Sequence, residues 1–165
     1  MAKFIWGKQL ENYASLIATL GSRSGEICGK AVYEMAGIVA DKIRSNLEGM
    51  HAEPDTEGLA AWKEQRKARL TYSEKKGLLN GLGISSLEDD NGYLNVKIGF
   101  DGYNSVKTRK YPKGQPNVLI ARAIESGSSV RDKTPFVRPA VNAAKAEALK
   151  ACEKVVDEEI KKIMG

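Results

Sequence analysis

The sequence predicts a single α+β domain: two long amphipathic helices packed on a small antiparallel sheet, with a long basic loop or helical excursion in between. Three observations carry this expectation. Apolar residues recur at steps of three and four over residues 25–47 and again from residue 134 to the C-terminal end, and an Asn-Gly pair sits between two short runs in the middle of the chain. The 165 residues are enough for one domain that buries a core without disulfides or metals, and 28% charged with 42% hydrophobic residues is the balance of a folded globular protein.

In chain order, Leu10 to Leu20 reads as a short helix, and Gly21-Ser22-Arg23-Ser24 as a break in which Ser22 or Ser24 caps the next helix. From Gly25 to Leu47 the apolar positions Ile27, Ala31, Met35, Ile38, Val39, Ile43 and Leu47 share one helical face, and Gly49 and Pro54 stop it. Gly21, Gly25, Gly29 and Gly37 fall at multiples of four, a spacing that predicts close packing against a neighbouring element. Residues 53–76 form the excursion. Within 61–76, Lys63, Arg66, Lys67, Arg69, Lys75 and Lys76 outweigh Glu64 and Glu74 around Trp62, so the stretch is either a solvated helix face or a contact for a polyanion or acidic partner.

Gly77, Gly81 and Gly83 match no phosphate-loop spacing and are read as turn residues. The hairpin comes next, with its turn at Asp89-Asp90-Asn91-Gly92 and a second strand over 93–100 in which Leu94, Val96 and Ile98 alternate with polar residues. Asp89 and Asp90 are adjacent on a strand end and point apart, which is poor geometry for acid–base work. Residues 101–118 read as a long loop carrying Lys107, Arg109, Lys110 and Lys113. The last helix follows, with Thr134 as its N-cap, Pro135 at its first position and Pro139 in its first turn. Val137, Val141, Ala144, Ala148, Cys152, Val155 or Val156, Ile160 and Ile163 mark its apolar face, so Val141, Ala144, Ala148 and Cys152 are expected to meet Met35, Ile38, Val39 or the sheet.

Composition narrows the chemistry. With His51 as the sole histidine and Cys28 and Cys152 as the only cysteines, the chain offers no four-ligand zinc set, no cofactor fingerprint and no catalytic constellation; His51 reads as a loop residue and the cysteines as buried free thiols. The N-terminus lacks the apolar core of a signal peptide and no run is long enough to span a membrane, so a cytosolic place of synthesis is expected. A net charge of +5 is mildly basic.

Two segments are more specific: Ala121-Arg122-Ala123-Ile124-Glu125-Ser126-Gly127-Ser128-Ser129, and Thr134-Pro135-Phe136-Val137-Arg138-Pro139-Ala140-Val141 opening the C-terminal helix. They resemble the tail-completion and head–tail joining (neck) proteins of tailed bacteriophages and prophages, in which Ala-x-x-x-Glu-x-Gly-[Ser/Thr] precedes Pro-Phe-hydrophobic-Arg-Pro-Ala and a terminal helix. Gly77-Leu78-Leu79 through Ser85, and the hairpin ending at Ile98-Gly99-Phe100, are similar to the Gly-x-Leu-x-x-Ser segment and strand pair of that family. The basic stretch around Trp62 is similar to a Trp- and Lys-bearing segment of related virion-morphogenesis proteins.

The resemblance implies a non-enzymatic virion protein of the neck. Such a protein forms a homo-oligomeric ring, read as a hexamer, that closes the tail and mediates head–tail joining. Its partners would be the tail tube or tail terminator protein on one side and the head connector or stopper protein on the other, with DNA passing through the lumen without sequence-specific binding and no membrane involved. The host cytoplasm would hold it before assembly. A tail terminator or head-side stopper is the near alternative, and a basic nucleic-acid-binding module the alternative from another class.

The signature itself reads as structural: Gly127 permits a sharp reversal, Phe136 between prolines wedges a stiff corner into the core, and Arg138 could reach back to Glu125 in a clasp, or both could be surface charges. Lys63, Arg66, Lys67 and Arg69 with Lys107, Arg109, Lys110 and Lys113 are the expected assembly contacts; being mostly Lys, they suit phosphates or acidic partners better than base edges.

Overall fold

A computed structural model describes residues 8–65 and 67–165, arranged as five helices and four short strands. The fold is α+β and mostly helical: helix α1 (Lys8–Gly49) and helix α5 (Val137–Met164) pack together, and between them come α2 (Asp55–Gln65), α3 (Tyr72–Gly81), strands β1 (Leu82–Ile84), β2 (Glu88–Asp90), β3 (Tyr93–Asn95) and β4 (Ile98–Phe100), and α4 (Asn117–Ser126). Arg66 and the side chain of Trp62 lie outside the described residues.

The expected break at 21–24 does not occur. Ser22 Oγ donates to Thr19 O at 2.9 Å and Ser24 Oγ to Gly21 O at 2.8 Å, so both hydroxyls fold back on the preceding turn instead of capping a new helix. Ion pairs from Glu26 to Arg23 and Lys30 bridge the same turns, and α1 runs on for 42 residues, about 63 Å at 1.5 Å per residue. Of its glycines, Gly29 alone meets the expectation of close packing: a Cβ there would lie 2.9 Å from Leu87, whereas one at Gly21, Gly25 or Gly37 would meet nothing within 4 Å.

Helices α1 and α5 are antiparallel, since Asn46 Nδ2 donates to Phe136 O (3.0 Å) near one end and Lys30 Nζ reaches Glu159 (3.1 Å) near the other. Their seam is built from small residues, with Ala31, Ala36 and Ala40 buried on α1 and Ala140, Ala144 and Ala148 on α5. On α5, Ala144 and Ala148 are buried as expected, but the buried stripe is turned away from Val141 and Cys152. Val141 is 42% exposed and Cys152 is partly exposed, because the alanines at steps of four let the two backbones approach and the larger residues ride on the flank. Cys28 is exposed too, so neither thiol is a core residue.

Below the seam the core widens. Leu47, Leu78, Ile120, Ile124 and Phe136 are its largest fully buried side chains, and the Phe136 ring tilts against Phe100 at 5.7 Å between centroids. Two helix ends are finished by side chains from each other's helix. Lys75 of α3 donates to the carbonyls of Glu48 and Met50 (both 2.7 Å) at the end of α1, and Arg44 of α1 donates to Leu79 O (3.0 Å) at the end of α3.

The hairpin turns where expected, with Asn91 at φ 55° and Gly92 at φ 90°, as a two-residue turn of this hand requires. The strand expected over 93–100 is split. Residues 86 and 87 oppose residue 96 alone between the Ser85–Lys97 backbone bond and the Glu88–Asn95 pair, a bulge that separates the β1–β4 ladder from the β2–β3 ladder. It turns Leu87 onto Gly29 of α1.

The excursion expected over 53–76 consists of helix α2, an extended break and the start of α3. Glu53 N donates to Leu70 O and Tyr72 N to Glu53 O (both 2.9 Å), and a Thr71–Glu74 capping box restarts the chain as α3. The loop expected over 101–118 ends at Pro116, and Asn117–Ser126 form α4, with Ile120, Ala121 and Ile124 buried.

The rotated seam is testable by denaturant unfolding: Ala144→Leu should destabilise by about 1–3 kcal/mol through overpacking, whereas Val141→Asp should change stability by no more than about 0.5 kcal/mol as an exposed substitution. A large loss for Val141→Asp would put Val141 back on the buried face that the sequence predicts.

Candidate functional site

Helix α4 ends at Gly127, whose φ of 76° reverses the chain, and a short turn closed by the Ser128–Arg131 backbone pair returns it toward α5. Thr134 N then donates to Ile124 O at 2.8 Å. Thr134 is not the N-cap; Phe136 occupies that position and offers no side-chain oxygen. The capping oxygens come from Glu125, which accepts from the backbone N–H of Phe136 (2.7 Å), Val137 (2.8 Å) and Arg138 (3.0 Å). The expected clasp thus exists with a different partner: Arg138 contributes its backbone, while its side chain is exposed. Pro135 stands before the helix and Pro139 in its first turn, where a missing N–H costs no helical bond.

Partial burial of Glu125 acts to raise its pKa, but the bonds from Val137, Phe136 and Arg138, with the Arg138 charge, hold it below the ordinary value of 4.5. A carboxylate lowered in this way stabilises the fold above its unfolded pKa, and that contribution is lost as pH falls through the folded one.

The basic residues divide into two groups. In the first, Lys67 pairs with Asp132 (2.7 Å) and Arg69 with Glu53 (2.6 Å), so these charges help fix the extended break to its neighbours, and Ala68 N bonds Val130 O at 2.6 Å between them. Lys63 is exposed on α2. In the second, Lys107, Arg109, Lys110 and Lys113 are all exposed on the loop before α4, and among the described residues none of them has an ion pair; Lys110 Nζ stands 5.6 Å over the Tyr111 ring.

That loop is pinned at its base. Asn117 Nδ2 donates to Gly77 O (3.0 Å) and Asp101 O (2.8 Å), Asn104 Oδ1 accepts from Val106 N (2.8 Å), and Asn104 N bonds Gln115 O (3.0 Å). A side chain at Gly81 would collide with Asp101 O, and one at Gly114 with Asn104 O. The loop is therefore fixed at its root and its four cations are exposed, Lys107 at the wall of a cavity shared with Asp55 and Glu74.

Sequence reasoning missed the most buried charge pair. Arg131 Nη2 reaches both Glu74 oxygens at 2.8 and 2.9 Å, with the two side chains 10% and 9% exposed, and ties the turn after α4 to the first turn of α3. In the sequence Glu74 stands as one of two acids in a basic run, and its place three residues after Thr71 is the signal of a capping-box glutamate. Beside this pair lies a cavity of about 580 Å³ walled by Val106, Ile120, Ala123 and Val130.

His51 lines a separate depression with Lys67 and Asp132, and no nucleophile hydrogen-bonds to it among the described residues. No helix of the described residues is long and apolar enough to cross a membrane. Comparison with protein-family profiles, with curated proteins and with solved structures yields no match.

Two outcomes are expected at this junction. Glu125→Ala should cost about 1–2 kcal/mol through lost capping, and Arg138→Ala no more than about 0.5 kcal/mol. Glu125→Gln should also flatten the loss of stability that wild type shows on acidification below the ordinary carboxylate range; equal costs for Glu125→Ala and Arg138→Ala would return the clasp to the guanidinium. At the buried pair, Arg131→Met alone should cost about 3–5 kcal/mol by leaving Glu74 unpaired, and adding Glu74→Leu should recover part of that loss in a thermal-unfolding cycle.

Proposed function

We propose that the protein is a structural component of a phage neck: a tail-completion protein that assembles as a ring, closes the tail and joins it to the head without catalysing a reaction. One observation carries this reading. The residues that bear the resemblance to the tail-completion family, Glu125, Gly127, Pro135, Phe136, Arg138 and Pro139, converge on one junction, where Glu125 caps α5, Gly127 reverses the chain and Phe136 is fully buried. A motif that builds a corner through a cap on the backbone of α5, a chain reversal and a buried ring supports a protein that works by shape and contact.

The outward loop cations suit such a role, since point charges on a pinned loop serve acidic protein faces or DNA phosphates in a lumen without reading sequence. In this reading the ring meets the tail tube or terminator on one side and the head connector or stopper on the other.

The experiment is a joining assay. Heads and tails produced without the protein should remain separate, and adding purified protein should restore joined particles counted by electron microscopy. Its binding to DNA should be independent of sequence and fall steeply between low and physiological salt. Full joining without the protein, or tight binding of one DNA sequence at physiological salt, would overturn the proposal, the latter in favour of a nucleic-acid-binding module.

A further inference from the structure

The four loop cations have a counterpart elsewhere on the same chain. Between α1 and α5 runs a groove whose larger part, about 650 Å³, has Gly25, Gly29, Tyr33, Leu87 and Val155 in its walls and Glu34 and Glu158 at its rim. A second depression, lined by Ile38, Asp41 and Glu147, lies further along the same two helices. Glu34 and Asp41 are two turns apart on α1, and Glu147 and Glu158 three turns apart on α5, so each pair falls on one side of its helix. Because the helices are antiparallel, Glu34 and Glu158 share one depression and Asp41 and Glu147 the other. The two depressions thus read as one line with acidic edges.

Among the described residues Glu34, Asp41 and Glu147 have no ion pair, and Glu158 has only Lys154 at 3.9 Å. Glu26 and Glu159 in the same groove are already paired with Arg23, Lys30 and Lys162; of the other four carboxylates, Asp41 shares its depression with Lys42 and Glu158 has the Lys154 contact, so the acidic edges are only partly matched. The chain therefore holds, among the described residues, four exposed cations without ion pairs on the loop before α4 and a set of weakly paired carboxylates along a groove whose walls mix apolar and charged residues. The loop packs by its root against α3 and α4, whereas the groove belongs to α1, α5 and the hairpin, and no depression contains residues of both.

We propose that the loop of one copy, through Lys107, Arg109, Lys110 and Lys113, docks in the α1–α5 groove of a second copy, against Glu34, Asp41, Glu147 and Glu158. A projection on one face that fits a groove on another makes a head-to-tail contact, which repeats in one direction and closes into a ring when the rotation per copy permits. The contact deepens the ring reading given above by naming its two surfaces. Acid–base complementarity favours a second copy over DNA as occupant, because DNA would match the loop and leave the groove without a partner.

The test uses three variants of the full chain and measures mass by light scattering on a sizing column at low and at high salt. Wild type should self-associate at low salt and dissociate as salt rises. Reversing the loop (Lys107→Glu, Lys110→Glu, Lys113→Glu) should give a monomer, as should reversing the groove (Glu34→Lys, Asp41→Lys, Glu147→Lys). An equimolar mixture of the two should associate again, and so should a chain carrying both sets. Circular dichroism identical to wild type establishes that each variant is folded, and the rescue by mixing is a readout that misfolding cannot give.

A wild type that stays monomeric at low salt, association insensitive to either reversal, or reversed variants that fail to rescue each other would overturn the contact; loss of DNA binding on loop reversal with self-association unchanged would assign the loop to DNA. These outcomes are separable from the neck reading. Joining activity in a protein whose association ignores both reversals sinks the contact alone, and a charge-dependent assembly that joins no particles sinks the neck reading alone.

Discussion

The free N–H groups at the start of α5 set a constraint that most of the fold answers to. A helix of 28 residues opens with backbone donors that its own carbonyls cannot reach, and here the first residues bring two prolines and a phenylalanine in place of a capping side chain. The acceptor is borrowed from Glu125, the penultimate residue of α4, so the two helices must meet at a fixed corner. Once that corner is set, Phe136 has one place to go, against Phe100 and beneath Leu47 and Leu78, and α5 leaves it along α1. The small-residue seam, the orientation of α4 and the position of the loop before it follow from this carboxylate.

Charge serves this fold mainly at the ends and edges of elements. Glu159, nearly buried between the helices, gathers Lys162 and Lys30, whose hydrogen bonds hold its pKa below the usual glutamate value, and Glu26 beside it is drawn down to about 2 by Arg23 and Lys30. Around the excursion the same economy recurs: Lys67, Arg69 and Lys75 each find a carboxylate or a helix-end carbonyl within the chain. Among the described residues of the basic stretch, Lys63 and Lys76 are exposed without an ion pair, whereas in the loop at 107–113, less conspicuous in the sequence, all four cations are.

Periodicity made the long elements legible because burial along one helical face leaves a mark in sequence: Ile27, Ala31, Ile43 and Leu47 were assigned to the core and are buried. The hairpin was legible through Asn91-Gly92, whose positive φ angles few other pairs would accept. The α5 face was misjudged because hydropathy ranks Val141 and Cys152 above alanine, while close helix packing selects for small size. The polar stretch at 21–24 suggested a break because serine hydroxyls compete with helical bonds in many settings; here they join them. Helix α4, only ten residues and lacking a side-chain cap, had no start signal to find. At the junction, sequence singled out Glu125 and Arg138 but could not tell a backbone N–H from a guanidinium as the acceptor's partner. Glu74 and Arg131 stand 57 residues apart, and no local pattern joins them.

The exchange of caps between α1 and α3 has a kinetic side. Because Lys75 holds the last carbonyls of α1 while Arg44 holds a carbonyl near the end of α3, opening of either helix end breaks a bond to the other helix. Helix ends ordinarily open independently and within the cheapest fluctuations of a protein, whereas each of these two carries the added cost of a bond to its neighbour. Amide protons at the close of α1 and at the close of α3 are expected to exchange more slowly for it, and the root of the basic loop, bonded through Asn117 to Gly77 of α3, is tied to the same pair of helices.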